Sequence, residues 1–385
     1  MSGINKSVAY IALYAALYGA FGVASPFWPK FFETRGLSPP QIAMILGAAI
    51  LIRLVAGPVI GAVADLFASS RLVLAICAAL AGAAAVSLLI AHRFWLLMTL
   101  ALVRAAALAP TTSIADALSV NIAKSEIGGE RFEYGWIRGS GSAAFAFGTL
   151  AMGQLISSHD VTPVIWMNAV LLTAAVGATA LLPSIPAQRK PHAGRSPAAL
   201  ELRRLLGIAR FRILILVAAL VFGSHAMNDT FAVIRWSGAG IDAPTISFLL
   251  AEAVAAEVIV FLVIGPMLLD RLGERGAAAL AAMAGITRWS AEGATNSVFA
   301  LSVLQPLHGM TFALLHLACM RMMGASIPRN VAATAQSVYG FASGFVTATV
   351  TLFSGLLYAK YGGAAFFPMA ALCGVALPFV WFGLR

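Results

Sequence analysis

Charge is what this chain has least of. Only 10% of its 385 residues are Asp, Glu, Lys or Arg, while 61% are hydrophobic and the mean hydropathy is +0.91. A soluble domain carries about 25% charged residues, so the composition excludes one and points to a chain embedded in a membrane. Cysteine is scarce too. Cys77, Cys319 and Cys373 sit inside apolar segments without metal-type spacing, so neither a disulfide framework nor a metal site is expected. The apolar runs are continuous rather than alternating, which excludes a β-barrel. No paired-Asp metal motif, H-x-x-E-H, G-x-S-x-G or nucleotide-binding loop occurs, which argues against a polytopic membrane enzyme and against a pump driven by ATP.

What the chain does have is long apolar runs. A crossing needs roughly 20 apolar residues, and hydropathy places helices near 8–32, 40–64, 71–91, 94–121, 133–157, 162–183, 212–238, 243–269, 275–292, 296–322, 331–358 and 362–384. The fold class expected is therefore all-α and integral to the membrane, with twelve transmembrane helices. Residues 10–32 are long enough to span and end in no small-residue cleavage site, so they read as the first membrane helix rather than a signal peptide.

Four arginines, Arg53, Arg104, Arg138 and Arg288, fall inside expected spans. The remaining basic residues divide unevenly. Sixteen lie in segments that are cytoplasmic if the N-terminus is inside: Lys6, Arg71, Lys124, Arg131, Arg189, Lys190, Arg195, Arg203, Arg204, Arg210, Arg212, Arg271, Arg275, Arg321, Arg329 and Arg385. Only Lys30, Arg35, Arg93, Arg235 and Lys360 lie outside. This asymmetry predicts a multi-pass protein of a bacterial-type inner membrane with both termini cytoplasmic, and it explains the net charge of +10 without nucleic acid.

One long hydrophilic connection, 184–211, separates an N-terminal six-helix bundle, 1–183, from a C-terminal one, 212–385. The halves repeat a feature. Gly61-Ala-Val-Ala-Asp65 with Arg71 follows the second segment, and Asp270-Arg271-Leu272-Gly273-Glu274-Arg275 follows the eighth. The offset suggests a parallel internal repeat. Both loops resemble the G-x-x-x-D-R-x-G-x-R motif of the major facilitator superfamily. The resemblance implies a gating role for Asp65, Arg71, Asp270, Arg271 and Arg275, with Leu66 and Ala68 departing from the pattern in the first copy.

The stretch from Glu252 to His316 is overwhelmingly apolar, yet it carries Glu252, Glu257, Arg288, Glu292, His308 and His316. A charged side chain at the bilayer centre costs about 2.5–3.5 kcal/mol on insertion scales, so these groups must face one another, water or a substrate. Internal ion pairing is the plainer explanation for each. Phe132-Glu133-Tyr134-Gly135-Trp136-Ile137-Arg138 resembles a segment of lactose permease and the related phenylpropionate permeases, in which the Arg lies in the substrate cavity. Ala256-Glu257-Val258-Ile259, Arg288-Trp289, Leu307-His308-Gly309-Met310-Thr311 and Gly223-Ser224-His225-Ala226 are similar to the phenylpropionate permeases as well.

The resemblance implies import of a small organic substrate with a proton, such as an aromatic carboxylate, at a site between the halves. Glu257, Arg288 and His308 would couple the proton, and Arg138, Asp116, Arg53, His225 and Trp28 would meet the substrate. Asp116 is the natural acidic partner of Arg138, and Asp229 the local partner of His225, four residues away. Trp28, within Pro26-Phe27-Trp28-Pro29, would line the entrance or sit at the membrane interface. Lactose permease has a Glu where this chain has Thr311, so proton carriage would fall to Glu257, with Asp229 and Glu292 as the alternatives. The bond of Glu257 to the proton would be favoured in an apolar setting and broken by an approaching Arg288. No cofactor is expected. The expected partners are a small-molecule substrate, protons and the bilayer, with no nucleic acid and the chain acting as a monomer. A sugar or nucleoside symporter and a proton-driven exporter are the alternatives.

Overall fold

The computed structural model describes residues 6–66, 70–123, 134–157, 160–182, 198–328 and 331–384. Among these the chain is helical, as it must be in lipid, where each backbone N–H and C=O needs a partner within its own segment. The helices in the first half are α1 (Lys6–Ala24), α2 (Trp28–Thr34), α3 (Pro39–Leu66), α4 (Ser70–Ser87), α5 (Phe94–Leu108), α6 (Thr111–Ala123), α7 (Tyr134–Leu155) and α8 (Thr162–Leu181). Then come α9 (Ala198–Gly207), α10 (Ala209–Gly223), α11 (Ala226–Gly238), α12 (Ala243–Ile259) and α13 (Gly265–Ala294). The last are α14 (Val298–Leu304), α15 (Leu307–Gly309), α16 (Leu315–Ser326), α17 (Ala332–Tyr361) and α18 (Phe367–Pro378).

Among the described residues, eight helical stretches are long and apolar enough to cross a membrane, or nine if the bent pair Val8–Ala24 and Trp28–Thr34 counts as one. Two of the eight, Ala243–Ala294 and Ala332–Gly383, contain 52 residues each. At 1.5 Å per residue each runs to roughly 78 Å, more than twice the hydrocarbon thickness. Each is turned near its middle by a glycine at positive φ, Gly273 (φ 67°) and Gly362 (φ 55°), where a side chain would be strained. The helix α7 falls outside the eight because Arg138 and its Gly–Ser run lower its hydropathy. Several expected helices are interrupted. The segment 94–121 breaks at Ala109–Pro110, 212–238 at Ser224–His225, and 296–322 at Gln305–Pro306. Of the expected linker, 183–197 lies outside the described residues and 198–207 forms the amphipathic α9, whose Glu201 accepts from Thr334 Oγ1 at 3.2 Å.

Contacts divide the chain into two compact units. One comprises 1–37, 48–189 and 242–248, the other 38–47, 190–241 and 249–385. In the first, α1 packs on α7 and α8 around Tyr10, Leu13, Tyr14 and Leu17, with Leu172 and Ala175 of α8 and Ile114 and Ala115 of α6. Small residues allow the close approach. A Cβ on Gly22 would lie 2.1 Å from the Phe145 carbonyl oxygen, and Thr149 Oγ1 donates to the Gly22 carbonyl at 2.9 Å. In the second unit α10 packs on α17 and α13 on α18. Arg235 of α11 donates to the carbonyls of Glu292, Gly293 and Thr295, which satisfies acceptors left over at the end of α13.

Two π-helical turns, Val260–Ile264 and Met310–Leu314, follow Glu257 and His308 within one turn. Such turns each insert one residue and recur at functional positions.

The close contact of α1 with α7 makes a prediction. Gly22→Ala should lower the melting temperature of the purified protein in detergent, at a cost of about 1–3 kcal/mol. Gly139→Ala, whose Cβ would meet nothing within 4 Å, should leave it unchanged or slightly higher. Equal effects at the two positions would refute the packing described.

Candidate functional site

In the second unit a continuous run of polar groups crosses from α13 to α12. Arg288 and Glu292, one turn apart on α13, form an ion pair of 3.1 Å with both side chains about 1% exposed. Arg288 also approaches Gln305 Oε1 at 3.2 Å and His308 Nδ1 at 3.0 Å. On its other edge His308 Nε2 lies 3.4 Å from Glu257 Oε2. The helices can come this close because position 309 has no side chain, where a Cβ would sit 2.7 Å from the Ala256 carbonyl oxygen.

The order of these contacts settles the imidazole's tautomer. A guanidinium has donors only, so Nδ1 of His308 must accept from Arg288, and the ring hydrogen sits on Nε2, the edge nearer Glu257. A second proton on His308 would set N–H against N–H. Along the run the contacts thus pass from the buried pair, through one ring, to Glu257. Exposure follows the same gradient: the Glu257 side chain is 27% exposed and that of His308 18%. Of the two carboxylates flanking this run, Glu292 is locked and Glu257 is reachable.

This arrangement differs from the expectation that Arg288 acts on Glu257 directly. His308 stands between them, and Arg288 is already neutralised by Glu292. His225 meets Trp289 and His308 edge to face, with ring centroids 5.1 and 5.2 Å apart, and its buried Nε2 has no partner. The expected His225–Asp229 pairing gives way to a bond from Asn228 Nδ2 to Asp229 Oδ1 at 3.3 Å. Trp289 donates from its indole to Ser224 Oγ at 2.8 Å, at the break between α10 and α11. Glu252 and His316 stand apart from the run: Ser302 Oγ donates to Glu252 at 2.8 Å, and His316 Nδ1 lies 3.2 Å from Tyr339 Oη. Thr311 is buried and donates back to the His308 carbonyl.

The first unit brings Arg138 and Asp116 together at 3.7 Å, about half and one-third exposed. Two tyrosines complete the group. Tyr14 donates to Asp116 Oδ1 at 2.5 Å, and Tyr18 Oη accepts from Arg138, whose guanidinium lies 4.9 Å from the Tyr18 ring centre. Sequence reasoning missed both tyrosines, although their four-residue spacing places them on one face of α1. Phe132 and Glu133, in the segment resembling the permeases, lie outside the described residues. Trp28 is buried at 6% exposure, packed on Phe31 and Phe32, and its ring lies beneath Arg104 at 4.2 Å. Arg53 is exposed on α3.

Of the two repeated motifs, the second, at the Gly273 bend within α13, shows paired charges. Arg321 of α16 binds Asp270 at 2.6 Å and Glu274 at 3.3 Å. Arg275 donates to the Trp381 carbonyl and lies 4.4 Å from that ring's centre. Arg271 is exposed. Arg321 carries no mark in the sequence that distinguishes it from the other loop cations. In the first loop Arg71 donates to the Leu182 carbonyl at 2.6 Å, and the Asp65 side chain lies outside the described residues.

Comparison with known proteins agrees with this architecture. Residues 8–369 match the MFS_1 like family. A protein of Escherichia coli (strain K12) named "Probable 3-phenylpropionic acid transporter" is 32% identical over 387 residues, 97% of each chain. The "Maltose permease" of Geobacillus stearothermophilus is 25% identical, over 96% of this chain and 92% of that one. The crystal structure of nucleoside transporter NupG superposes with a TM-score of 0.84 over 98% of both chains at 17% identity, a likeness of fold. The chain belongs to the MFS_1 like family and is a multi-pass membrane transporter of the major facilitator fold.

Proposed function

We propose that this protein imports a small organic anion, an aromatic carboxylate of the 3-phenylpropionate type, together with a proton. The observation that carries the reading is the run Glu257–His308–Arg288–Glu292. The charge of Arg288 is balanced by the buried Glu292, so the one carboxylate of the run open to protonation is Glu257. A proton on Glu257 removes the negative charge that faces the His308 N–H, frees the ring to turn from Arg288 and exposes that guanidinium's donors. Release of the proton restores the run. Binding of one charge thus changes the partners available to another, which is what coupling requires.

Asp116 and Arg138, with Tyr14 and Tyr18, supply polar contacts to the cargo on the first unit, and His225 borders the proton site. Asp270, Arg271 and Arg275, joined by Arg321, brace one conformation of the Gly273 bend within α13, with Asp65 and Arg71 in the corresponding place in the first half. The uneven basic residues support cytoplasmic termini. The six-helix halves 1–183 and 212–385, the linker 184–211 and the monomeric state belong to the same reading.

In proteoliposomes, an inward pH gradient should drive accumulation of labelled 3-phenylpropionate, and a protonophore should abolish it. Accumulation of maltose or a nucleoside instead would replace the substrate class, and outward movement would reverse the direction. Glu257→Gln should lose pH-driven accumulation while retaining exchange of internal for external substrate. Wild-type concentration by that variant removes Glu257 from the mechanism. Glu292→Gln should act on stability, because it leaves Arg288 buried and unpaired at a cost of about 3–5 kcal/mol. An unchanged melting temperature would show that Arg288 does not depend on Glu292.

A further inference from the structure

Of the four arginines within the apolar segments, two have carboxylate partners: Arg138 has Asp116 and Arg288 has Glu292. Arg53 and Arg104 have none among the described residues. Arg104 is held by other means. Its guanidinium stacks on Trp28 at 4.2 Å, and Nη2 reaches Asn168 Oδ1 at 3.5 Å, the limit of a hydrogen bond. Asn168 is fixed in turn by donating to the Ala20 carbonyl at 2.7 Å. Trp28 is fixed by Phe31 and Phe32, with ring centroids 5.5 and 5.9 Å away. The Arg104 Nε is buried and has no partner.

This geometry orients a cation without satisfying it. Guanidinium groups stay charged at any accessible pH, and the positive charge of Arg53 acts on Arg104, which sets two like charges in mutual repulsion. A planar carboxylate, which can accept two parallel N–H bonds, is the complement of a guanidinium fork and matches it better than a tetrahedral anion does. Stacking on Trp28 takes up the face of the guanidinium and leaves its Nε unmet.

We propose that Arg104, assisted by the charge of Arg53, binds the carboxylate of the transported substrate, and that Trp28 and Asn168 are positioning residues for it. The proposal rests on the reading of an aromatic carboxylate as cargo. It moves the anion-binding role from Arg138, which already faces Asp116, to a residue that no sequence motif marks.

The test compares binding of 3-phenylpropionate with that of its uncharged amide, by calorimetry on the purified full-length protein in nanodiscs, alongside melting curves without ligand. Wild type should prefer the acid, and Arg104→Gln should lose that preference by roughly tenfold or more while binding the amide as wild type does. The ligand-free variant should melt no lower than wild type, since it loses an unsatisfied charge. If wild type binds the amide as well as the acid, the anionic cargo itself is wrong and the inference falls with it. If wild type prefers the acid and Arg104→Gln keeps that preference, the cargo stands and Arg104 is not its anchor. If Arg104→Gln melts well below wild type, the guanidinium is a structural element and the proposal is overturned.

Discussion

A guanidinium cannot shed its charge, and in an apolar interior that constraint decides where the neighbouring polar groups go. Moving an ion out of water costs several kcal/mol even after the protein relaxes, so a buried Arg keeps its place only if its donors are taken. Arg288 meets this condition with Glu292, Gln305 and His308. The contact with His308 assigns the imidazole hydrogen to the far side of the ring, where Glu257 waits. The fully buried pair thus dictates, through one ring, the state of a carboxylate that water can reach.

The backbone around this run is built for proximity rather than regularity. A straight α-helix at α12 or α15 would keep its register through the polar residues, whereas the π turns at Val260–Ile264 and Met310–Leu314 shift it just beyond them. The missing side chain at position 309 then brings the two backbones near enough for Glu257 and His308 to meet. Two irregularities facing one another beside the same ion run are local departures from the best helix, of the kind tolerated where position matters more than stability.

The two units treat their cations differently. Arg138 is only partly withdrawn from solvent and is shared among Asp116 and the α1 tyrosines, an arrangement open to exchange. Arg288 is sealed. Arg104 lies between these extremes, held on an aromatic face with one nitrogen unmet. The intramembrane arginines thus differ in how far each is compensated by the residues around it.

The membrane location, the helical class and the family were all readable from the chain itself, because composition and apolar run length are local properties and the loop repeat is written in contiguous residues. The Asp116–Arg138 pairing was readable too, since few carboxylates compete for that arginine. Partner choice elsewhere was not. Nothing in the sequence says that Arg288 pairs with Glu292 rather than another carboxylate, that Trp28 lies beneath Arg104, or that Arg321 is the loop cation that meets Asp270 and Glu274. Neighbouring residues on a helix point about 100° apart, so a small rotation or axial shift, decided only when the helices pack, changes which charges meet. The tertiary structure alone settled that rotation, and with it which arginines meet a carboxylate among the described residues.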